Sequence, residues 1–240
     1  MNPDAPEVLV GSHDRRGSMT TRLLYFGFLV FALSLGTALL AQEPPAGKLR
    51  ENLRNYLVEK FATDVEVVSL CRVTPGVFAA RYDTQADWFG SFVVFQTAAS
   101  GTIRFTYDVS PLPDEQSVFS VRARHLKGFE TPLIFVTGRT HMGNGCLYVY
   151  LLYPGQAICL MKARVFARLG DLCFDRHPAR LTIADVNQDG IDDIEITATL
   201  IDHSTRSRHP YRRLFQGFRG GFSENRSAAR GLPWVAPYGL

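Results

Sequence analysis

From Thr63 onward the apolar residues of this chain recur at every second position or gather in short runs, with glycine, proline and aspartate between them. A period of two puts alternate side chains on opposite faces of a strand. Strands are predicted at residues 65–71, 76–82, 91–97, 102–108, 118–123, 133–138, 147–153, 157–163, 181–184, 194–200 and 211–218. Turn residues separate them, among them Pro75 with Gly76, Ser100 with Gly101, and Pro154 with Gly155. Many short strands of this kind fold as antiparallel sheets. Only residues 48–62 carry a helical period. Leu49, Leu53, Tyr56, Leu57 and Phe61 form one stripe, with Arg50, Glu51, Arg54 and Lys60 outside it. The expected class is mainly β: an antiparallel sandwich or partial propeller-like sheets, with one N-terminal amphipathic helix. Residues 133–150 and 194–218 share a strand–loop–strand pattern, a faint internal repeat.

Residues 1–41 read as an address. Arg22 precedes an apolar run at 23–35, and small residues lead to a cut after Ala41. That order defines a secretory signal peptide, and Met19 would open a more usual one. The alternative is an uncleaved membrane anchor through residues 23–41, since about 20 residues span a bilayer. The rest divides into a linker at 42–47, a single β-rich domain at 48–223 and a loose tail at 224–240. The chain is expected to be exported, to the periplasm or beyond, with a membrane contact only if the leader stays. A net charge of +3 is too small to call for nucleic acid.

Between two of the predicted strands lies an acidic loop. Asp185, Asn187, Asp189 and Asp193 stand at positions 1, 3, 5 and 9, with Gly190 at 6. Oxygen ligands at that spacing wrap a hard cation, and the glycine permits the turn. The predicted calcium ligands are Asp185, Asn187, Asp189, the carbonyl of Ile191, and Asp193. Three close carboxylates repel one another, and a cation would remove that cost. A helix–loop–helix hand needs a bidentate Glu at position 12, which here is Ile196. The flanks alternate as strands do, so the loop is expected to cap a β-hairpin. The competing reading is an acidic Asp-Gly turn with no ion.

The stretch from Leu181 through this loop to Ile196 resembles the strand–loop–strand core of FG-GAP (integrin α-type) and VCBS repeats. Phe218 to Phe222, with Gly220 and Gly221 between, is similar to the ending of such a unit, so the resemblance covers about residues 181–222. It implies aspartates that bind calcium between strands of a propeller blade. The same pattern looks, more loosely, like exported bacterial calcium-loop β-proteins, some of which inhibit lysozyme-type hydrolases.

In an exported chain the four cysteines, Cys71, Cys146, Cys159 and Cys173, point to disulfides. The alternative is buried thiols, because cysteine packs as a small hydrophobe. The glycine-rich segment 138–145 holds His141, a general base if it lines a site and a turn residue otherwise. His177 and His203 flank the acidic loop. Residues 206–230 hold seven arginines and the single acid Glu224, which suits an anionic partner or a solvated face. No nucleophile elbow, zinc-protease helix or phosphate loop is present, so the reading leans away from an enzyme. It favours an exported calcium-binding β-domain that acts as a binding or interaction module. The partner would be a protein or an envelope polysaccharide, and calcium's role would be structural. The alternatives are a periplasmic inhibitor of cell-wall hydrolases and a secreted hydrolase with no local motif.

Overall fold

A computed structural model describes residues 44–85, 90–110, 113, 117–140 and 143–230. The predicted leader, the 42–43 end of the linker, His141 and residues 231–240 lie outside them. The described residues belong to one compact unit, Glu43–Leu240. None of its described helices is long and apolar enough to cross a membrane.

The single described helix, α1 (Ala46–Phe61), begins after Pro45, whose fixed φ suits a helix start. It ends at Ala62 in the left-handed region, where the Ala62 N–H donates to the Val58 carbonyl at 2.8 Å. Leu49, Leu53 and Leu57 are its buried face, as the stripe predicts, whereas Phe61 at the last turn is exposed.

Among the described residues, fifteen strands follow in three sheets. The first holds β1 (Val65–Thr74), β2 (Val77–Thr84), β3 (Ser91–Thr97) and β4 (Ile103–Thr106) in sequential order, all antiparallel. The second holds β5 (Asp108–Ser110), β6 (Ser117–Arg124), β7 (Leu133–Arg139), β8 (Gly145–Tyr153) and β9 (Gln156–Phe166) in the order β5-β9-β8-β7-β6, with β5 parallel to β9. The third holds β10 (Arg168–Leu169), β11 (Leu172–Phe174), β12 (Arg180–Ala184), β13 (Asp193–Asp202), β14 (Ser207–Phe218) and β15 (Gly221–Glu224). Its order is β10-β11-β13-β14-β15, and β12 also pairs with β13.

The packing follows from the period of two. On β8, Cys146, Tyr148 and Tyr150 join a core with Val77, Ala79, Phe92 and Val94 of the first sheet. The intervening Leu147 and Val149 join a second core with Ile194, Ile196, Leu200, Tyr211 and Phe215 of the third. On β7, Ile134 and Val136 face one way, Leu133 and Phe135 the other. The second sheet is thus covered on both faces, which is why β7 and β8 read as continuous apolar runs. The first sheet is covered as well: Phe78, Ala80, Tyr82 and Phe95 pack against the leucines of α1. The described residues are mainly β, with several sheets and one helix near their N-terminal end.

All four cysteines are free thiols, which overturns the predicted disulfides. The strand registers explain it. Cys71 stands opposite Ala79, Cys146 opposite Gly138 and Arg164, Cys159 opposite Tyr150, and Cys173 opposite Arg168 and Ile201. Cys71, Cys146 and Cys159 fill the core between the first two sheets as small apolar groups.

Candidate functional site

β12 and β13 pair from Arg180↔Thr197 to Ala184↔Asp193, so the acidic loop closes a β-hairpin, as its flanks predict. Inside the loop the carboxylates turn to the backbone. Asp185 accepts the Asp189 N–H at 3.0 Å on one oxygen and the Gly190 N–H at 2.9 Å on the other. Asn187 Oδ1 also accepts the Asp189 N–H, at 3.2 Å, and its amide donates to Asp189 Oδ2 at 2.8 Å. Asp189 Oδ1 accepts the Ile191 N–H at 2.8 Å. Two positive-φ residues, Gln188 and Gly190, bend the chain so that these N–H groups point inward. The Lys127 ammonium lies 3.6 Å from Asp185 Oδ2, a half-exposed contact that contributes little.

Asp193 behaves otherwise. It has no exposed surface. Its Oδ2 accepts the Val186 N–H at 3.0 Å, and its Oδ1 accepts the Gly217 N–H of β14 at 2.8 Å. Among the described residues, no group of three or more His, Cys, Asp or Glu side chains stands where it could hold a metal ion. Asp193 is withdrawn into the sheet, and Asp185, Asn187 and Asp189 turn oxygens toward loop N–H groups. Backbone dipoles aimed at these oxygens ease the repulsion among the carboxylates.

The loop is docked on both sides, by Lys127 and Gly128 on one and by Gly217 on the other. Asp192 Oδ2 accepts the Lys127 N–H at 2.8 Å, and the Asp192 N–H returns a bond of 3.0 Å to the Lys127 carbonyl. Gly128, at φ +87°, lets Ile191 close in: a Cβ there would stand 2.8 Å from its side chain. At Gly217 a Cβ would collide with the Asp192 carbonyl oxygen. A glycine inside a strand often marks such a close approach, and Gly217 in the 211–218 run was that signal.

This docking leaves a cleft of about 880 Å³ beside the loop. Phe129, Leu151, Tyr153 and Ile191 supply apolar and aromatic surface, and Glu130, Asp189 and Arg219 supply charge of both signs. Phe129 is braced by Phe222, with ring centroids 5.2 Å apart. Tyr153 is 43% exposed and Phe218, beside Arg219, is 49% exposed.

The arginines of the 206–230 segment are partly spent within the fold. Arg212 meets Glu195 at 2.6 Å, and Arg213 forks onto Glu224 at 2.7 and 2.9 Å. Desolvation acts to lower the Arg213 pKa, but the bond to Glu224 and the neighbouring Tyr211 outweigh it and raise the value. From Asn225 the chain returns along β14, and the Arg212 and Arg230 backbones exchange bonds of 3.0 and 2.8 Å. His177 stacks on Phe166, and His203 lies against Cys173. The chain matches no family model, no curated protein and no solved structure.

Proposed function

We propose that this chain is an exported binding module, and that the cleft beside the acidic hairpin is its contact surface for a partner protein or an envelope polysaccharide. One observation carries the reading. A concave surface of about 880 Å³ joins an exposed aromatic ring, apolar walls and opposite charges on a rigidly hydrogen-bonded frame. Ligand sites commonly have that size and that mixture. The lining groups suit recognition: Tyr153 offers a flat face to a sugar ring or an apolar side chain, while Arg219, Glu130 and Asp189 offer charged hydrogen bonds at its edge. The likeness of residues 181–222 to FG-GAP and VCBS units supports a role in contact, and the acidic loop serves as the clasp that shapes the cleft.

The test is photo-crosslinking from position 153, with Phe61 at the far helix as the control position, in the presence of envelope extract. Crosslinks to a protein or glycan are expected from position 153 and not from 61. Tyr153→Ala combined with Arg219→Glu should weaken capture by roughly tenfold or more, the scale of losing a central contact. Unchanged capture by the double variant would remove the cleft from consideration.

A further inference from the structure

Cys173 sits against an imidazole. Its Sγ lies 3.3 Å from His203 Nε2. β11 pairs with β13 so that Cys173 opposes Ile201, and His203 is the diagonal neighbour on the same face. The His203 N–H donates to the Asp171 carbonyl at 2.9 Å, which fixes the turn that carries the ring. Cys173 is half-buried and His203 exposed, so a small molecule can reach the sulfur.

The same cross-strand row continues to both sides. Arg168 of β10 opposes Cys173, and Arg208 of β14 opposes Ile201. Both arginines are exposed. Acids are also near along the strand: Asp171 and Asp175 each stand two residues from Cys173. The Asp175 carboxylate is already engaged, accepting the Thr199 N–H at 2.9 Å and lying 3.8 Å from Arg176.

We propose that Cys173 is a thiol–disulfide exchange site for small anionic disulfides, with His203 as the proton acceptor and Arg168 and Arg208 as the attracting charges. His203 takes the thiol proton, and the Cys173 sulfur attacks one sulfur of the incoming disulfide. A new S–S bond forms to Cys173 as the old one breaks. The departing thiolate takes the proton from His203 and leaves as a thiol. Atoms and electrons balance without any further oxidant, because the disulfide itself is reduced.

The other three thiols serve as internal controls. Burial pushes the Cys71 and Cys159 thiols up, and Cys146 is buried in the core between two sheets. Buried structural cysteines are inert for want of thiolate and access.

The experiment treats the folded full chain with a dianionic dithiobis(nitrobenzoate) and, separately, with the cationic disulfide cystamine. Peptide mass mapping reads the labelling rate of each cysteine. Cys173 is expected to react first, by roughly tenfold or more, and faster with the anionic reagent. His203→Gln should slow Cys173 by roughly tenfold while the melting temperature stays put. Arg208→Ser should narrow the gap between the two reagents, as added salt should. Equal labelling of Cys71, Cys146 or Cys159 would overturn the assignment. So would a His203→Gln protein that reacts as fast as the parent.

Discussion

Asp193 spends one carboxylate oxygen on the Val186 N–H and the other on the Gly217 N–H, and it does so with no exposed surface. A buried carboxylate is tolerable only when such donors replace water. Asp193→Ala strands both N–H groups, so a loss of about 3 kcal/mol or more is expected in urea unfolding. The loss should be the same in calcium and in chelator, since backbone donors face both oxygens of this side chain. A penalty that vanished in chelator would show that Asp193 acts through a cation instead. Gly217→Ala attacks the same junction from the other side and should destabilise by about 1–3 kcal/mol, because a methyl group has no room beside Asp192. Asp202, at the far end of β13, makes a prediction about pH. Ser204 and Thr205 hold its carboxyl down at about 2. A depressed carboxyl contributes stability above its ordinary value of 3.8, and that contribution is lost as pH falls toward 2. Carbon-detected titration should place the Asp202 carboxyl below its ordinary value of 3.8, and Ser204→Ala should move it back up. These roles divide sharply in legibility. The alternation of Ile194, Ile196 and Leu200 announces the strand, but nothing local shows that Asp193 faces inward while Asp185 and Asp189 face the loop, because that choice depends on where Gly217 arrives.

At the scale of elements, period and turn chemistry were enough to locate every predicted strand. β3 occupies residues 91–97 as expected, and α1 is shifted by one or two residues at its ends. The short pieces escaped. β10, β11 and β15 have two to four residues each and no room for a period to show. They exist because longer neighbours offer them an edge: β11 pairs with residues 200–202 of β13, and β15 with residues 215–218 of β14. The stretch predicted as one strand at 102–108 divides into β4 and β5 around Tyr107, so that its halves serve two sheets. The free state of the cysteines is illegible in the sequence for a related reason. Pairing of thiols depends on register between strands far apart in sequence, and composition does not hold that information. The helix shows the converse dependence, of an element on its neighbours. Sixteen residues without a side-chain N-cap bond make a marginal helix alone, so α1 is held by the leucines that cover the first sheet. Leu53→Ala, at a site with no exposure, should cost about 2–5 kcal/mol in thermal or urea unfolding. The same change at the exposed Arg50 should cost about 0.5 kcal/mol or less.

Across the whole molecule, the second sheet is the member on which the other two depend. Its two faces carry separate cores, so the order of sheets is fixed by which parity of β7 and β8 each neighbour receives. Tyr211 is one of the large side chains at the boundary with the third sheet. Its hydroxyl donates to the Arg164 carbonyl of β9 at 3.3 Å, and its ring tilts against Phe174 with centroids 4.7 Å apart. Burial pushes its phenol from the ordinary value of 10 up to about 12, against the pull of Arg213. The sign of the linkage follows. The neutral phenol is favoured in the fold, so its contribution is complete below the unfolded value near 10. That contribution is lost as pH rises through the window to about 12, where the unfolded chain ionises first. Unfolding midpoints should therefore fall through that window. Tyr211→Phe should cost about 1 kcal/mol at neutral pH through the lost bond to Arg164. It should also flatten the alkaline fall, because the variant has no phenol at this position to titrate. The difference between the two proteins isolates Tyr211 from the other tyrosines, whose ionisation is common to both. Equal slopes in parent and variant would mean that the boundary between the second and third sheets opens elsewhere first, with Tyr211 already in water when it ionises.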